Sequence, residues 1–139
     1  MSKKPLLMVV EDDIGIREQL QWCFEEFEVI QAGDRHEAIT KLKRFDPAII
    51  TLDLGLPPDT LGVEEGMATL NEILRLKSTA KVIMVTGQSD RTYALQAINL
   101  GAYDFYLKPI HKEELNFIAN REYYLYQLEA ENTKLEYCR

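Results

Sequence analysis

Four apolar runs in this chain each end on a polar residue. Val9-Val10 leads into Glu11-Asp12-Asp13, and Ile49-Ile50-Thr51-Leu52 leads into Asp53. Val82-Ile83-Met84-Val85 leads into Thr86, and Phe105-Tyr106-Leu107 leads into Lys108 and Pro109. Short, β-branched-rich runs without polar alternation are the pattern of strands buried on both faces of a parallel sheet. With one further strand they predict five strands, over about residues 6–10, 28–32, 48–53, 81–86 and 103–107. The segments between them carry a helical period. Helix one is predicted over 14–26, with Ile16, Leu20, Cys23, Phe24 and Phe27 on its buried face. Helix two is predicted over 35–45, with Ala38, Ile39, Leu42 and Phe45 inward, and Pro47 closes it. Helices three and four fall over 64–77 and 89–100, with Gly101 as a C-cap, and helix five starts near His111. The stretch from Gly55 to Gly62 is too rich in Pro and Gly for a regular element.

Helices alternating with buried strands give an α/β fold, a doubly wound parallel sheet of the flavodoxin-like class with strand order 2-1-3-4-5. The last helix changes character. Ile118, Leu125 and Asn132 are spaced by heptads, and Arg121, Leu128 and Leu135 repeat at the same interval, offset within it. That is an a/d seam, in which a buried Asn favours a parallel, in-register pair. The competing reading is a long helix packed on its own domain.

Composition changes this picture little. The 139 residues are 46% hydrophobic and 28% charged, which suits a single globular domain. A net charge of −7 works against direct contact with nucleic acid or an anionic membrane. Cys23 and Cys138 make neither a disulfide framework nor a metal site. No apolar run reaches transmembrane length and the N-terminus does not read as a signal peptide, so a cytoplasmic location is expected.

The chemistry lies at the strand ends, because ligands of open parallel sheets sit beyond the carboxyl ends of the strands. Three acids in a row fit a helix N-terminus equally well. Asp53 alters that balance, since strands one and three are neighbours in this order and their carboxylates converge. Clustered carboxylates repel unless a cation lies between them, and Mg²⁺ takes oxygen ligands of this kind. Thr86 alone reads as an ordinary strand residue and Lys108 alone as a rim residue. Together with Asp53 they suit a phosphoryl group, with the lysine as a compact positive charge. The P-loop, the dinucleotide glycine motif and the Gly-x-Ser-x-Gly elbow are all missing from the sequence. His36 and His111 are isolated on predicted helix surfaces, and Tyr123, Tyr124 and Tyr126 read as helix packing.

These motifs resemble the CheY-like receiver domain of two-component response regulators. The matching residues are Val9-Val10-Glu11-Asp12-Asp13 with Arg17, Asp53-Leu54-x-Leu56-Pro57, Val85-Thr86-Gly87, Gly101-Ala102 and Lys108-Pro109. The resemblance implies that Asp53 is the phosphoacceptor and that Mg²⁺ is held by Asp12, by Asp53, by Glu11 through water and by the backbone carbonyl of Gly55. It implies that Thr86 and Lys108 contact the phosphoryl group, that Phe105 is the switch aromatic, and that the Lys108–Pro109 bond is cis. Two departures stand out. Gly66 holds the place of a glycine that normally lies closer to the phosphoacceptor, and the switch aromatic carries no hydroxyl.

The tail resembles the linker helix of NtrC-type transcriptional regulators, and the loop after Asp53 resembles those of the PEP-CTERM system. Residues 1–120 are thus expected to be a receiver and 121–139 a helical, coiled-coil linker to an output domain. A helix running out at Arg139 favours a piece of a longer protein over a stand-alone receiver. The expected function is a switch rather than an enzyme. A sensor histidine kinase phosphorylates Asp53, and the change in dimer or linker geometry controls transcription. The alternative is a constitutive dimerisation module of the same fold. A phosphohydrolase fits less well, because Gly55 stands where its general acid would be.

Overall fold

The computed structural model describes residues 4–137, and the side-chain surroundings of all of these but 88, 89 and 134–137. The strands β1 (Leu6–Val10), β2 (Glu28–Ala32), β3 (Ile49–Leu52), β4 (Lys81–Thr86) and β5 (Asp104–Leu107) form one sheet. Every pairing is parallel and the order is β2-β1-β3-β4-β5. The helices are α1 (Ile14–Gln21), α2 (Arg35–Phe45), α3 (Glu64–Leu76), α4 (Ala94–Leu100) and α5 (Lys112–Tyr137).

The sheet separates two apolar layers. On one face Met8, Val10, Ile50, Leu52, Val82 and Met84 pack under α2, α3 and α4, through Leu42, Leu70, Ile73 and Ala97. On the other, Leu7, Val9, Ile49, Ile83 and Val85 pack under α1 and α5, through Leu20, Leu115 and Ala119. Alternate residues of β1, β3 and β4 serve opposite layers, which is why those runs are mostly apolar without alternation.

Three elements depart from the sequence expectation. The helix α1 stops at Gln21 rather than 26, and the chain turns through Cys23 N–H to the Leu20 carbonyl (3.0 Å) and Phe27 N–H to the Phe24 carbonyl (3.2 Å). Helix and strand run in opposite directions, and β2 opens at Glu28, so the chain must reverse before it. A connection of about 2–6 residues is the usual requirement. Cys23, Phe24 and Phe27 still bury, now from the turn. The expected helix four is split, because a 3-10 turn, Gln88–Tyr93, precedes α4. Phe45, expected inward, is 38% exposed at the last position of α2, with the Arg44 guanidinium over its ring.

Other local expectations hold. Gly101 ends α4 as the expected C-cap at φ 116°, where a side chain is strained; Asp46, which the sequence did not single out, ends α2 in the same left-handed region (φ 52°). The Lys108–Pro109 bond is cis, and so is Pro57–Pro58.

The last helix runs unbroken across residue 120 and keeps touching the domain. Ile118 packs in the core, which the heptad reading did not foresee. Tyr123 meets Phe27 edge-on (5.9 Å between ring centres), and Lys77 lies over the Tyr126 ring. Glu129 pairs with the buried Lys81 at 2.6 Å. Between and beyond these contacts the helix opens to solvent. Leu125 is half-buried, Leu128 is 37% exposed and Asn132 is exposed. The side chain of Leu135, and Cys138 altogether, lie outside the described residues.

Candidate phosphoryl and metal site

Glu11 and Asp53 each follow the last residue of a strand, and those last residues, Val10 and Leu52, are register partners. The Asp53 N–H donates to the Val10 carbonyl (3.0 Å), and the Glu11 N–H donates to the Ala32 carbonyl (3.0 Å). The sheet ladder therefore continues one step past the strands and fixes both backbones. Carboxylate oxygens of Glu11, Asp12 and Asp53 come within 4.8 Å of one another. Asp13, the third of the consecutive acids, is committed elsewhere. It caps α1, accepting from the Ile16 N–H at 3.0 Å.

The opposite wall comes from β4 and β5. Thr86 pairs with Leu107 in register, and the Lys108 N–H donates to the Thr86 carbonyl (2.8 Å). The buried Thr86 hydroxyl lies 3.1 Å from Asp53 Oδ1. Lys108 Nζ is 3.5 Å from Asp53 Oδ2 and 3.0 Å from Glu11 Oε1. The Gly55 N–H reaches Asp53 Oδ1 at 3.4 Å. Asp53 is thus the point on which strand ends β1, β3, β4 and β5 converge.

The electrostatics match this crowding. Glu11 is only 2% exposed, and burial, then the facing charge of Asp53, push its carboxyl up to about 8. Burial pulls the Lys108 ammonium down, but the charges of Asp53 and Glu11 outweigh it and hold it above its ordinary value. A buried acid that resists ionisation beside two further carboxylates is a donor set short of positive charge. A hard divalent cation fits that set.

Gly66 closes the loop after Asp53 at its base. Its N–H donates to the Leu54 carbonyl (3.1 Å), and a side chain there would collide with Leu54 backbone atoms. The close approach places α3 against the residue following Asp53, despite the long loop between them. Phe105 lies half-buried against the layer under α3 and α4. Its neighbour Tyr106 faces the other layer, where its hydroxyl accepts from the His111 N–H (2.9 Å) and donates to Glu114 (3.2 Å).

The response regulator receiver domain family matches residues 7–120. The chain belongs to that family. This receiver is 33% identical over 137 residues to the C4-dicarboxylate transport transcriptional regulatory protein DctD of Rhizobium meliloti, covering 97% of this chain and 29% of that protein. It is 32% identical over 112 residues to Protein CcdB of Bacillus subtilis, covering 78% of this chain and 89% of that one. Among solved structures, NtrX from Brucella abortus superposes with a TM-score of 0.85 at 28% identity, over 96% of this chain and 30% of NtrX. The receiver domain of NtrX gives 0.76 at 30% identity, over 84% and 96%. The chain therefore spans under a third of DctD and of full-length NtrX.

The site holds one residue the sequence reading passed over. Asp90, in the 3-10 turn before α4, brings Oδ2 within 3.0 Å of the Thr86 hydroxyl. The only signal was an acid four positions after Thr86, and a reading of 89–100 as plain helix gave no reason to turn it inward. The Lys81–Glu129 pair was missed for a different reason. A lysine opening a strand reads as exposed, yet Lys81 is 4% exposed and lies under Glu129 and the Tyr103 ring. Among the described residues, no helix is long and apolar enough to cross a membrane.

Proposed function

We propose that this receiver is a phosphorylation-controlled switch in which Asp53 takes a phosphoryl group from a sensor histidine kinase. The observation that carries the reading is the convergence on Asp53 of a buried hydroxyl at 3.1 Å and an ammonium at 3.5 Å, beside two further carboxylates. An Asp53 oxygen attacks the phosphorus of a phosphohistidine. The P–N bond breaks, and its electron pair returns to the imidazole nitrogen. Thr86 and Lys108 take up two of the phosphoryl oxygens, the first by hydrogen bond and the second by charge. Asp12, Asp53 and the Gly55 carbonyl, with Glu11 through water, would hold Mg²⁺. When bound, the ion neutralises charge on the carboxylates and on the transferring group.

The readout runs from Thr86 to Phe105 and on to the face formed by α4, β5 and α5. With no hydroxyl on Phe105, the switch acts through burial of its ring alone. The α5 tail, from about residue 121, serves as a linker to an output domain that controls transcription, and Leu125, Leu128 and Asn132 pair two copies in parallel. The kinase docks on the exposed stripe formed by Ile14 and Glu18 of α1 and Trp22 at its C-terminal end, beside the pocket.

Intact mass after incubation with acetyl phosphate tests this. The expected result is a gain of one phosphate that needs Mg²⁺ and vanishes in Asp53→Asn. No uptake by the folded wild-type chain refutes the switch and favours a constitutive interaction module.

A further inference from the structure

The Thr86 hydroxyl has one proton and two carboxylates to give it to. Asp53 Oδ1 stands at 3.1 Å and Asp90 Oδ2 at 3.0 Å. A hydroxyl donates once, so at any moment one of the two acids faces an oxygen lone pair across a hydrogen-bond distance. Asp53 has other donors in Lys108 Nζ and the Gly55 N–H. Asp90 belongs to the 3-10 turn Gln88–Tyr93, and its own N–H bonds back to the Gly87 carbonyl at 3.1 Å. Whatever Thr86 does with its proton is therefore felt by the segment that leads into α4.

We infer that Asp90 is a positioning residue that competes with the Asp53 phosphoryl group for the Thr86 hydroxyl and so sets the resting state of the switch. The inference rests on the proposed function and deepens it. In the resting protein the proton is shared between Asp53 and Asp90, and the 3-10 turn is held against the end of β4. A phosphoryl oxygen on Asp53 takes the proton outright. Asp90 then loses this donor and faces added negative charge, and the turn it belongs to is released. The energy that holds the turn in the resting state is subtracted from phosphoryl binding, since a ligand shifts an equilibrium only by its differential affinity for the two states.

Beryllofluoride is the probe, titrated into the full chain at saturating Mg²⁺ and followed by ¹⁹F NMR of the bound ion. Losing one hydrogen bond of ordinary strength, shared as this one is with Asp53, corresponds to roughly a three- to tenfold gain in beryllofluoride affinity for Asp90→Ala. Asp90→Asn keeps an acceptor oxygen without the charge and falls between wild type and Asp90→Ala. In a Thr86→Ala background the Asp90→Ala gain disappears, because both substitutions act on one hydroxyl. Equal affinity in wild type and Asp90→Ala overturns the inference. So does an undiminished gain in the Thr86→Ala background, which would make Asp90 a simple through-space repulsion. Wild-type protein that binds no beryllofluoride overturns the switch itself, and this outcome is distinct from the other two.

Discussion

Replacing Gly66 by alanine sets helix propensity against packing, and the structure decides the sign. Gly66 is the third residue of α3, and its N–H bonds the Leu54 carbonyl at 3.1 Å. A Cβ built there would lie 2.7 Å from the Leu54 carbonyl carbon, and nearer still to its Cα and carbonyl oxygen. Non-bonded carbons rest at about 3.5–4.0 Å, so roughly 1 Å of movement is needed. Leu54 is fully buried, and the obstructing atoms are backbone, so no rotamer change relieves the contact. Overpacking of this kind costs about 1–3 kcal/mol, and an immovable neighbour puts it toward the upper end. The helix gains at most about 1 kcal/mol from losing glycine. The net expectation is a loss of about 2 kcal/mol, or roughly 6–10 °C in Tm. Leu54 follows Asp53 directly, so the shift also displaces the carboxylate and weakens Mg²⁺ binding. Thermal unfolding and a calorimetric Mg²⁺ titration read both effects. A variant as stable as wild type, or more so, would refute the argument, since propensity alone predicts that result.

Three further outcomes follow from other parts of the molecule. Burial raises the Glu122 carboxyl, opposed by Arg121 on its own helix, raised further by Asp104 on β5 and lowered by Lys81 on β4. Its folded-state value lies above the unfolded one, so its contribution to stability is complete below the ordinary carboxylate range and is lost as pH rises through the folded-state value. Glu122→Gln should therefore gain on wild type in urea midpoint as pH rises from about 4 to 7, and parallel curves would count against this reading. Lys81→Met keeps volume while removing the charge that holds Glu129, so amide exchange over residues 125–132 should speed up with 112–120 unchanged; intact protection there would show that the pair does not anchor the tail. Trp22 is 77% exposed, so Trp22→Ala should slow phosphotransfer from a purified kinase while leaving acetyl phosphate labelling intact, and equal loss in both assays would point to the fold instead of to docking.

The parts of this protein legible in its sequence are those set by local pattern. The strands read clearly because β1, β3 and β4 are buried on both faces, and between their first and last positions Thr51 is the one polar residue. The order of the sheet followed, and with it the meeting of Glu11 with Asp53. What was not legible depends on how elements meet. The early end of α1 comes from the reversal needed to enter β2, which a helical stripe continuing to Phe27 conceals. The 3-10 turn before α4 goes with the Asp90–Thr86 contact, and no periodicity records such a contact. Ile118 was assigned to a heptad seam, yet it faces its own core, because α5 lies on the sheet before it leaves it. The resemblance alone leaves Asp13 out of the metal set, and the capping of the Ile16 N–H supplies the physical reason.

The central claim is that Asp53 itself carries the phosphoryl group. Acetyl phosphate labelling with Mg²⁺, followed by borohydride reduction and peptide sequencing by mass spectrometry, reads the position directly, because an aspartyl phosphate is reduced to homoserine. Homoserine at position 53, and at none of the other acids of the pocket, is the predicted result. Label at Asp12, at Glu11 or at no carboxylate would contradict the account.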